Sequence, residues 1–349
     1  MLDKPLPTAN AASPRLALMK IALGGWLSQA TYAAAKLGLV EIIGDGALTP
    51  HEIAGKAGTD PDVSYRLLRA LASVGLFVED EDGRFSVTPV GECLSGERPD
   101  SLLPLVTMMG EEFHKVWGDI VPSIQTGEPA FPRVFGESFF EFLQDHNSSG
   151  TNFDACMATL HGAEADHVVD TFDFSPYRKI ADIGGGKGSL LCTILRRHEE
   201  AEGILYDLPE VIERAKVFVG DAGMSERCTL IPGSFFETVP DDADLYVLRH
   251  IIHDWDDAKS VQILKNCAAK MKPGAKLLII DCVIPAGNDW FPGKFIDLHM
   301  LLLAGGKERT GVEFGDVLKK AGLNMKQILP TPIPRVSIVE AELAAPDKP

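Results

Sequence analysis

Apolar positions along the chain change period near residue 178, and the change divides it into two kinds of structure. Before that point the spacing is helical. Leu16 to Leu39 is rich in Ala and Leu with few breakers, which predicts one helix closed by Gly38. Thr49-Pro-His-Glu-Ile-Ala and Asp60-Pro-Asp-Val-Ser-Tyr-Arg-Leu-Leu each place a capping residue before a proline and then helically spaced apolar positions, so each predicts a helix start. Gly75-Leu-Phe-Val-Glu-Asp-Glu-Asp-Gly-Arg-Phe-Ser-Val then predicts a strand, an acidic turn and a second strand. Residues 101–175 predict irregular helices carrying many large apolar groups, among them Met108, Phe113, Trp117, Phe139, Phe153 and Met157. From 178 onward, strands expected at 180–183, 203–207, 228–232, 244–249 and 276–283 alternate with helices at 189–198, 209–219, 256–271 and 312–322. Such alternation predicts a mostly parallel sheet covered on both faces, with ligands at the carboxyl ends of its strands. Val336-Ser-Ile-Val-Glu-Ala-Glu is expected to add an edge strand. The organisation expected is a flexible N-terminus at 1–13, a winged-helix-like domain at 14–100, a helical substrate-pocket region at 101–175 and an α/β domain at 176–345.

Charge and composition narrow what these domains can do. At 349 residues the chain has room for two cores, and its net charge of −17 opposes both nucleic acid and anionic membrane. The winged-helix layout suggests DNA reading, yet residues 47–90 hold only Lys56, Arg66, Arg69 and Arg84 against Glu52, Asp60, Asp62 and the run Glu79 to Asp82. That balance is opposite to a nucleic-acid footprint, so a packing or dimerisation module is expected there. The six cysteines form no Cys-x-x-Cys pair and several lie in apolar runs, as reduced buried thiols do. No apolar run approaches the roughly 20 residues that span a bilayer, and residues 1–12 do not read as a signal peptide. A soluble, cytoplasmic protein is expected.

The chemistry concentrates in Ile180-Ala-Asp-Ile-Gly-Gly-Gly-Lys-Gly188, in which Asp182 is followed by Gly184, Gly186 and Gly188. The spacing is not the G-x-G-x-x-G of dinucleotide sites, and no Gly-Lys-Ser/Thr ending marks a phosphate loop. A ligand with a sugar to hold but no phosphate suits it better, and S-adenosyl-L-methionine is such a ligand. Asp207, at the end of the next strand, is placed to accept bonds from both ribose hydroxyls. A glycine-rich turn with no ligand is the alternative.

These features resemble the class I S-adenosylmethionine-dependent methyltransferases. More narrowly, the chain resembles the caffeate/isoflavone-type small-molecule O-methyltransferases, including bacterial members that modify antibiotics. The resemblance rests on Ile180–Gly188, Tyr206-Asp-Leu-Pro209, Gly233-Ser-Phe-Phe236, Leu248-Arg-x-x-x-His-Asp-Trp255 and Gly305-Gly-Lys-Glu-Arg-Thr310. It implies a Rossmann-like doubly wound domain, an N-terminal dimerisation domain and a homodimer. It also implies cofactor contacts from Asp182, Gly184, Gly186, Gly188, Asp207, Leu208, Gly233, Ser234, Phe235 and Arg249, with Ser234 and Phe235 flanking the adenine. The family commonly has aspartate where Ser234 stands and lysine where Arg249 stands, so the details of the grip differ here.

Methyl transfer to a phenol requires loss of its proton, and histidine suits that role because its ordinary pKa lies near neutrality. His253 follows the strand 244–249 and is expected at the sheet's carboxyl edge as the general base. The resemblance supplies Asp281 and Glu308 as its supporting acids, Asp281 being one methylene shorter than the glutamate the family often carries. His250 is expected to be structural, while His161, His299, Met300, Trp117, Phe153 and Met157 are candidates to face the substrate. Asp254, Asp256 and Asp257 read as a helix N-terminus with solvated acids, and no metal is expected. The partner expected is a hydroxylated aromatic or polyketide-like small molecule, with no nucleic acid and no membrane. Other functions on these residues are a hydroxylase or decarboxylase retaining the cofactor, and a winged-helix DNA-binding regulator.

Overall fold

The computed structural model describes residues 13–162 and 164–345. The N-terminus expected to be flexible therefore lies, apart from Ser13, outside the described residues. The chain divides into two compact units, one within Met1–Asp119 and Glu137–Gly162, the other within Ile120–Gly136 and Ala163–Pro349. The division runs through the helical region 101–175, which supplies segments to both.

In the first unit the helix expected from Leu16 to Leu39 is two helices, Pro14–Ala22 and Gly24–Lys36. They meet at Leu23, just before Gly24 and Gly25. Two consecutive glycines carry a high entropy cost in a helix, and a break there is their ordinary consequence. Gly38 ends the second helix in the left-handed conformation at φ +64°. Thr49 and Glu52 close a capping box on Pro50–Ala57, and Asp60 Oδ1 accepts from Val63 N at 3.0 Å to start Pro61–Ala72. The hairpin forms as read, β1 (Phe77–Glu79) antiparallel to β2 (Phe85–Val87), with Phe77 and Phe85 packed on Leu68 and Leu71. Leu18, Ile21 and Trp26 of the first two helices stay largely exposed, Trp26 at 76%.

The second unit is built on a seven-stranded sheet. Its strands are β3 (Lys179–Ile183), β4 (Glu202–Asp207), β5 (Cys228–Pro232), β6 (Leu245–Arg249) and β7 (Lys276–Asp281), then, after the short parallel pair β8 (Val283–Ile284) and β9 (Arg309–Thr310), β10 (Leu323–Pro330) and β11 (Ser337–Leu343). The order in space is β10-β11-β7-β6-β3-β4-β5, with β3 to β7 parallel and the last two strands antiparallel. Two expectations are corrected here. The C-terminal strand is not at the edge: β11 pairs β7 on one side and β10 on the other. The edge is β10, which the sequence hid because only Leu323 of its eight residues is buried and a bulge interrupts it between Met325 and Gln327. The strand expected at 276–283 also stops at Asp281, and Val283–Ile284 turns away to pair β9.

Both faces of the sheet are covered, one by a core around Leu191, Leu205 and Val247 and the other by a core around Ile183, Tyr246 and Leu277. Chain order reverses between β3 and β6, and the crevice at the carboxyl ends of such strands is where this architecture places ligands. Among the described residues no helix is long and apolar enough to cross a membrane, and all six cysteines are free.

Candidate active site

The turn after β3 is knitted to the next two strands through backbone and one carboxylate. Gly184 has φ +70° and donates its N–H to the Tyr206 carbonyl at 2.7 Å. A Cβ there would lie 2.5 Å from Ile251 Cδ1, so no larger residue fits. Asp207 Oδ2 accepts from Gly186 N at 2.8 Å and its Oδ1 from Leu208 N at 2.7 Å. Its own carbonyl accepts from Gly233 N at 2.9 Å. Burial raises the Asp207 carboxyl above its ordinary range, while these backbone donors pull it down. Each carboxylate oxygen keeps a second lone pair for a ligand hydroxyl. Gly188 opens the helix Ser189–Arg197. Phe235 reaches the same corner, its ring 3.3 Å from the position a Gly184 Cβ would take. Ser234 Oγ is turned to Phe236 N at 3.3 Å, and Leu208 is exposed. Arg249 Nη2 donates to Ser189 Oγ at 3.0 Å.

Asp182 lies within β3, 2% exposed, and neither of its oxygens has a hydrogen-bond partner. Burial raises its carboxyl to about 6, with Arg249 pulling down and Asp207 pushing up. A folded-state value above the unfolded one means that the proton stabilises the fold. That contribution is complete below about pH 4 and is lost as pH rises through about 6. Asp182→Asn is therefore expected to stabilise the protein at pH 7 by about 1–3 kcal/mol, since a tenfold change in proton affinity corresponds to about 1.4 kcal/mol. Urea midpoints from pH 4 to 8 check this: the wild-type protein should lose stability relative to the variant across that interval. Parallel curves would count against it.

Beyond β6 the chain turns sharply. His250 has φ +54°, and a short 3₁₀ turn, Ile252–Asp254, presents His253. His253 Nδ1 is 2.9 Å from Glu308 Oε1 and 3.7 Å from Asp281 Oδ1, while Nε2 is 3.5 Å from Asp254 Oδ1. Of the two acids expected to orient His253, Glu308 makes the hydrogen bond and Asp281 stands beyond bonding reach. An ionised carboxylate only accepts, so Nδ1 carries the proton facing Glu308. Burial pushes the imidazolium pKa down, but the charges of Asp281, Asp254 and Glu308 outweigh it and raise it to about 10. Burial raises Asp254 in turn to about 6.

The turn is held by the segment Gly305 to Arg309. Lys307 N donates to the His253 carbonyl at 2.8 Å, and Gly306 packs so closely on that carbonyl that a Cβ would collide with it. Arg309 is fully buried. Its Nη1 donates to the carbonyls of Ile252 and Lys307, both at 3.0 Å, and its Nη2 to the Trp255 carbonyl and Ser260 Oγ, both at 3.0 Å. Nε and Nη2 also grip Asp257 Oδ1, at 3.1 and 2.9 Å. Asp256 caps the helix Asp257–Lys270 through Lys259 N at 2.8 Å. Asp256 and Asp257 are thus committed to structure, as a helix N-terminus would have them.

His250 is more than a packed side chain. Its Nε2 lies 2.6 Å from Glu164 Oε1 and its Nδ1 3.5 Å from Asp281 Oδ1, with its ring 5.4 Å from that of His253. Glu164, fully buried, also faces Arg249 Nη1 at 3.9 Å and Arg335 Nη2 at 3.8 Å. His250, Glu164, Asp254 and Arg309 are the site-forming residues that the spacing did not single out. The signal for His250 was its place three residues before His253. Glu164 stands 86 residues from its partner and had none.

The candidate substrate residues divide between the units. Trp117, on the helix Glu112–Gly118, and Phe153, Met157 and His161, on Asn147–His161, are half-buried in the first. Phe153 meets Phe139 edge-on at 5.4 Å. His299 and Met300 are half-buried on Gly293–Ala304 in the second, and burial depresses His299 to about 4, so its ring is neutral.

Comparison with known proteins bears directly on this geometry. A family model described as an O-methyltransferase domain matches residues 117–324, and one described as an O-methyltransferase dimerisation domain matches residues 19–96. The chain is 42% identical to the phenazine O-methyltransferase of Lysobacter antibioticus, over 93% of this chain and 95% of that one. It is similar to the crystal structure of a mitomycin 7-O-methyltransferase at TM-score 0.87 and 34% identity, covering 97% of this chain and 100% of that one. It is also similar to an O-methyltransferase from neocarzinostatin biosynthesis, solved with S-adenosylmethionine and 2-hydroxy-5-methyl naphthoic acid. For that structure the TM-score is 0.79 at 34% identity, covering 91% of this chain and 96% of the other.

Proposed function

Because this chain belongs to the O-methyltransferase family, we propose that it transfers a methyl group from S-adenosyl-L-methionine to a hydroxyl of a small aromatic or polyketide-like secondary metabolite. The observation that carries this is His253. It is bonded through Nδ1 to Glu308 and stands at the carboxyl edge of the sheet that also presents the glycine turn and Asp207. The residues fit the cofactor. Asp207 would hold its ribose hydroxyls, Gly184 would admit its amino-acid end, Ser234 and Phe235 would flank its adenine, and Arg249 would meet its amino-acid or ribose portion. When bound, S-adenosyl-L-methionine supplies a transferable methyl on a positively charged sulfur, a charge that disfavours an imidazolium beside it. His253 then takes the acceptor's hydroxyl proton on Nε2, and Glu308, Asp281 and Asp254 stabilise the imidazolium that results.

The domain roles follow. Residues 14–100 act as a dimerisation domain, for which the exposed Leu18, Ile21 and Trp26 offer apolar surface, and 176–345 hold the cofactor. Trp117, Phe153, Met157, His161, His299 and Met300, largely from 101–175, receive the substrate. We place the enzyme in the cytoplasm as a homodimer, with neither nucleic acid nor membrane as partner and no metal in its chemistry.

Calorimetry on protein freed of cofactor should show binding of S-adenosyl-L-methionine and S-adenosyl-L-homocysteine. Asp207→Ala should weaken both by about 10- to 100-fold, since a hydrogen bond to a charged group is worth about 1.5–3 kcal/mol. Labelled methyl transfer across a panel of hydroxylated aromatics should give products heavier by one methyl. A product heavier by one oxygen, or loss of carbon dioxide, would establish the hydroxylase or decarboxylase instead.

A further inference from the structure

Behind His253 the buried charges alternate: Glu164, His250, Asp281, His253, Glu308. Asp281, at the end of β7, is the middle member. It is fully buried, and neither oxygen has a donor within hydrogen-bond distance. The cations nearest it are the two imidazoles, at 3.5 Å from His250 and 3.7 Å from His253. A buried carboxylate without hydrogen-bond donors depends on positive charge facing it.

His250 is held where it can supply that charge. Its backbone adopts φ +54°, a conformation that a side chain of this size rarely takes, and its N–H is tied to the Ile280 carbonyl at 3.0 Å. Its Nε2 meets Glu164, which Arg249 faces from β6 and Arg335 from the turn between β10 and β11. A ring with carboxylates facing both nitrogens carries a proton on each. Burial disfavours that charged ring, but the bond to Glu164 and the facing carboxylate of Asp281 more than offset it, and the pKa of His250 is raised. Within the same unit, Asp254 on the His253 turn, Glu308 ahead of β9 and the buried Cys282 thiol, which burial keeps protonated, also lie nearby.

We propose that His250 is a positioning residue of the reaction: clamped by Glu164, it presents a charged ring to Asp281 and so holds that carboxylate in place behind His253. The proposal rests on His253 being the base. It adds that the base's basicity is set from the far side of Asp281 by an imidazole that never touches substrate.

Loss of the His250 charge removes one of the two cations that face Asp281 and frees that carboxylate from its place behind His253, whose charged form is then less well supported. The acid limb of the kcat profile should therefore move to lower pH. His250→Asn is the variant of choice, because asparagine tolerates the left-handed backbone and donates without charge. It should lower kcat by about 10- to 100-fold, within the range of general-base catalysis, with KM for S-adenosyl-L-methionine nearly unchanged. His250→Lys, which restores a cation, should recover part of both the rate and the limb. Two acceptors of different phenol acidity separate the enzyme's limb from the acceptor's. A chelator is included, because donors of His250, His253 and Asp281 lie within 4.8 Å of one another and would also suit a metal ion.

A limb that stays in place in His250→Asn, or equal losses in the Asn and Lys variants, would overturn the proposal and leave His250 a shaper of the turn. A direct reading needs no variant. Histidine-selective nitrogen NMR of the wild-type protein across a pH series should show the His250 ring losing its second proton above the ordinary imidazole range, and a ring that titrates at or below that range would also overturn it. The two claims fail separately. If His253→Ala keeps full methyl transfer, the base reading fails. If His253→Ala is inactive while His250→Asn behaves as wild type, only this proposal fails.

Discussion

His253→Ala is expected to lower kcat by about 10²- to 10⁴-fold, the contribution of a positioned general base, while the variant still binds S-adenosyl-L-methionine. The cofactor contacts proposed above come from other residues, the glycine turn, Asp207, Phe235 and Arg249, so the two effects separate. The substitution removes the one cation that Asp281, Asp254 and Glu308 all face. Asp254 and Glu308, whose carboxyls burial already raises, then lose an opposing charge, and the pH dependence of stability should change with the rate. In the wild-type protein His253 is raised to about 10. Its contribution is therefore complete below its ordinary value near 6.5 and is lost as pH rises through about 10. The variant should lack that decline between pH 7 and 10 in urea titrations. Near-full methyl transfer by the variant would remove His253 from its role and leave the cofactor site standing. Binding calorimetry on the same preparation shows whether a loss of rate is chemistry or unfolding.

What could be read in the chain was local. The glycine turn, Asp182 and Asp207 were legible because strand ends and tight turns impose their residue types within a few positions. The caps at Thr49 and Asp60 were legible for the same reason. The place of His253 was legible because it follows a strand that must end at the ligand edge. The break at Leu23 was also written locally, in Gly24 and Gly25, but a long run of Ala and Leu outweighed two glycines. Other features had no local cause. β10 mixes Leu323, Met325, Ile328 and Leu329 with polar residues in a broken alternation, and its pairing with β11 makes it a strand. Glu164 joins the site from a helix far earlier in the chain, where nothing distinguishes it from a solvated acid. Asp281 was legible as an acid at a strand end. That it faces two imidazoles could not be read, because the second depends on the backbone reversal at His250.

Arg309 shows how much of the site rests on a residue that touches no ligand. It stood in the motif Gly305-Gly-Lys-Glu-Arg-Thr310, yet its work is visible only in the fold, since its partners are mostly carbonyls of the turn that carries His253. Arg309→Met is expected to destabilise the protein by about 3–5 kcal/mol, the cost of breaking a buried charged network by removing one member. Methionine fills much of the volume, so the loss is chiefly that of the donors to the Ile252, Lys307 and Trp255 carbonyls, Ser260 Oγ and Asp257, of which the Ile252 and Trp255 carbonyls keep only the longer bonds from Ser260 Oγ and, for Ile252, Trp255 N. Arg309→Lys keeps the charge but offers three donors from one point in place of a planar fork, so it should recover only a minor part. Urea unfolding of both variants measures the loss, and a lysine variant as stable as the wild type would show that charge alone is required. The turn should suffer before the whole fold does, because the carbonyls of Ile252 and Trp255 bracket His253 and lose their shortest donor directly. Methyl transfer per folded molecule, with the folded fraction taken from the same urea curves, should therefore fall in Arg309→Met at temperatures where the protein is still largely native. Unchanged activity per folded molecule would mean that Glu308 and the Lys307 N–H hold His253 in place unaided.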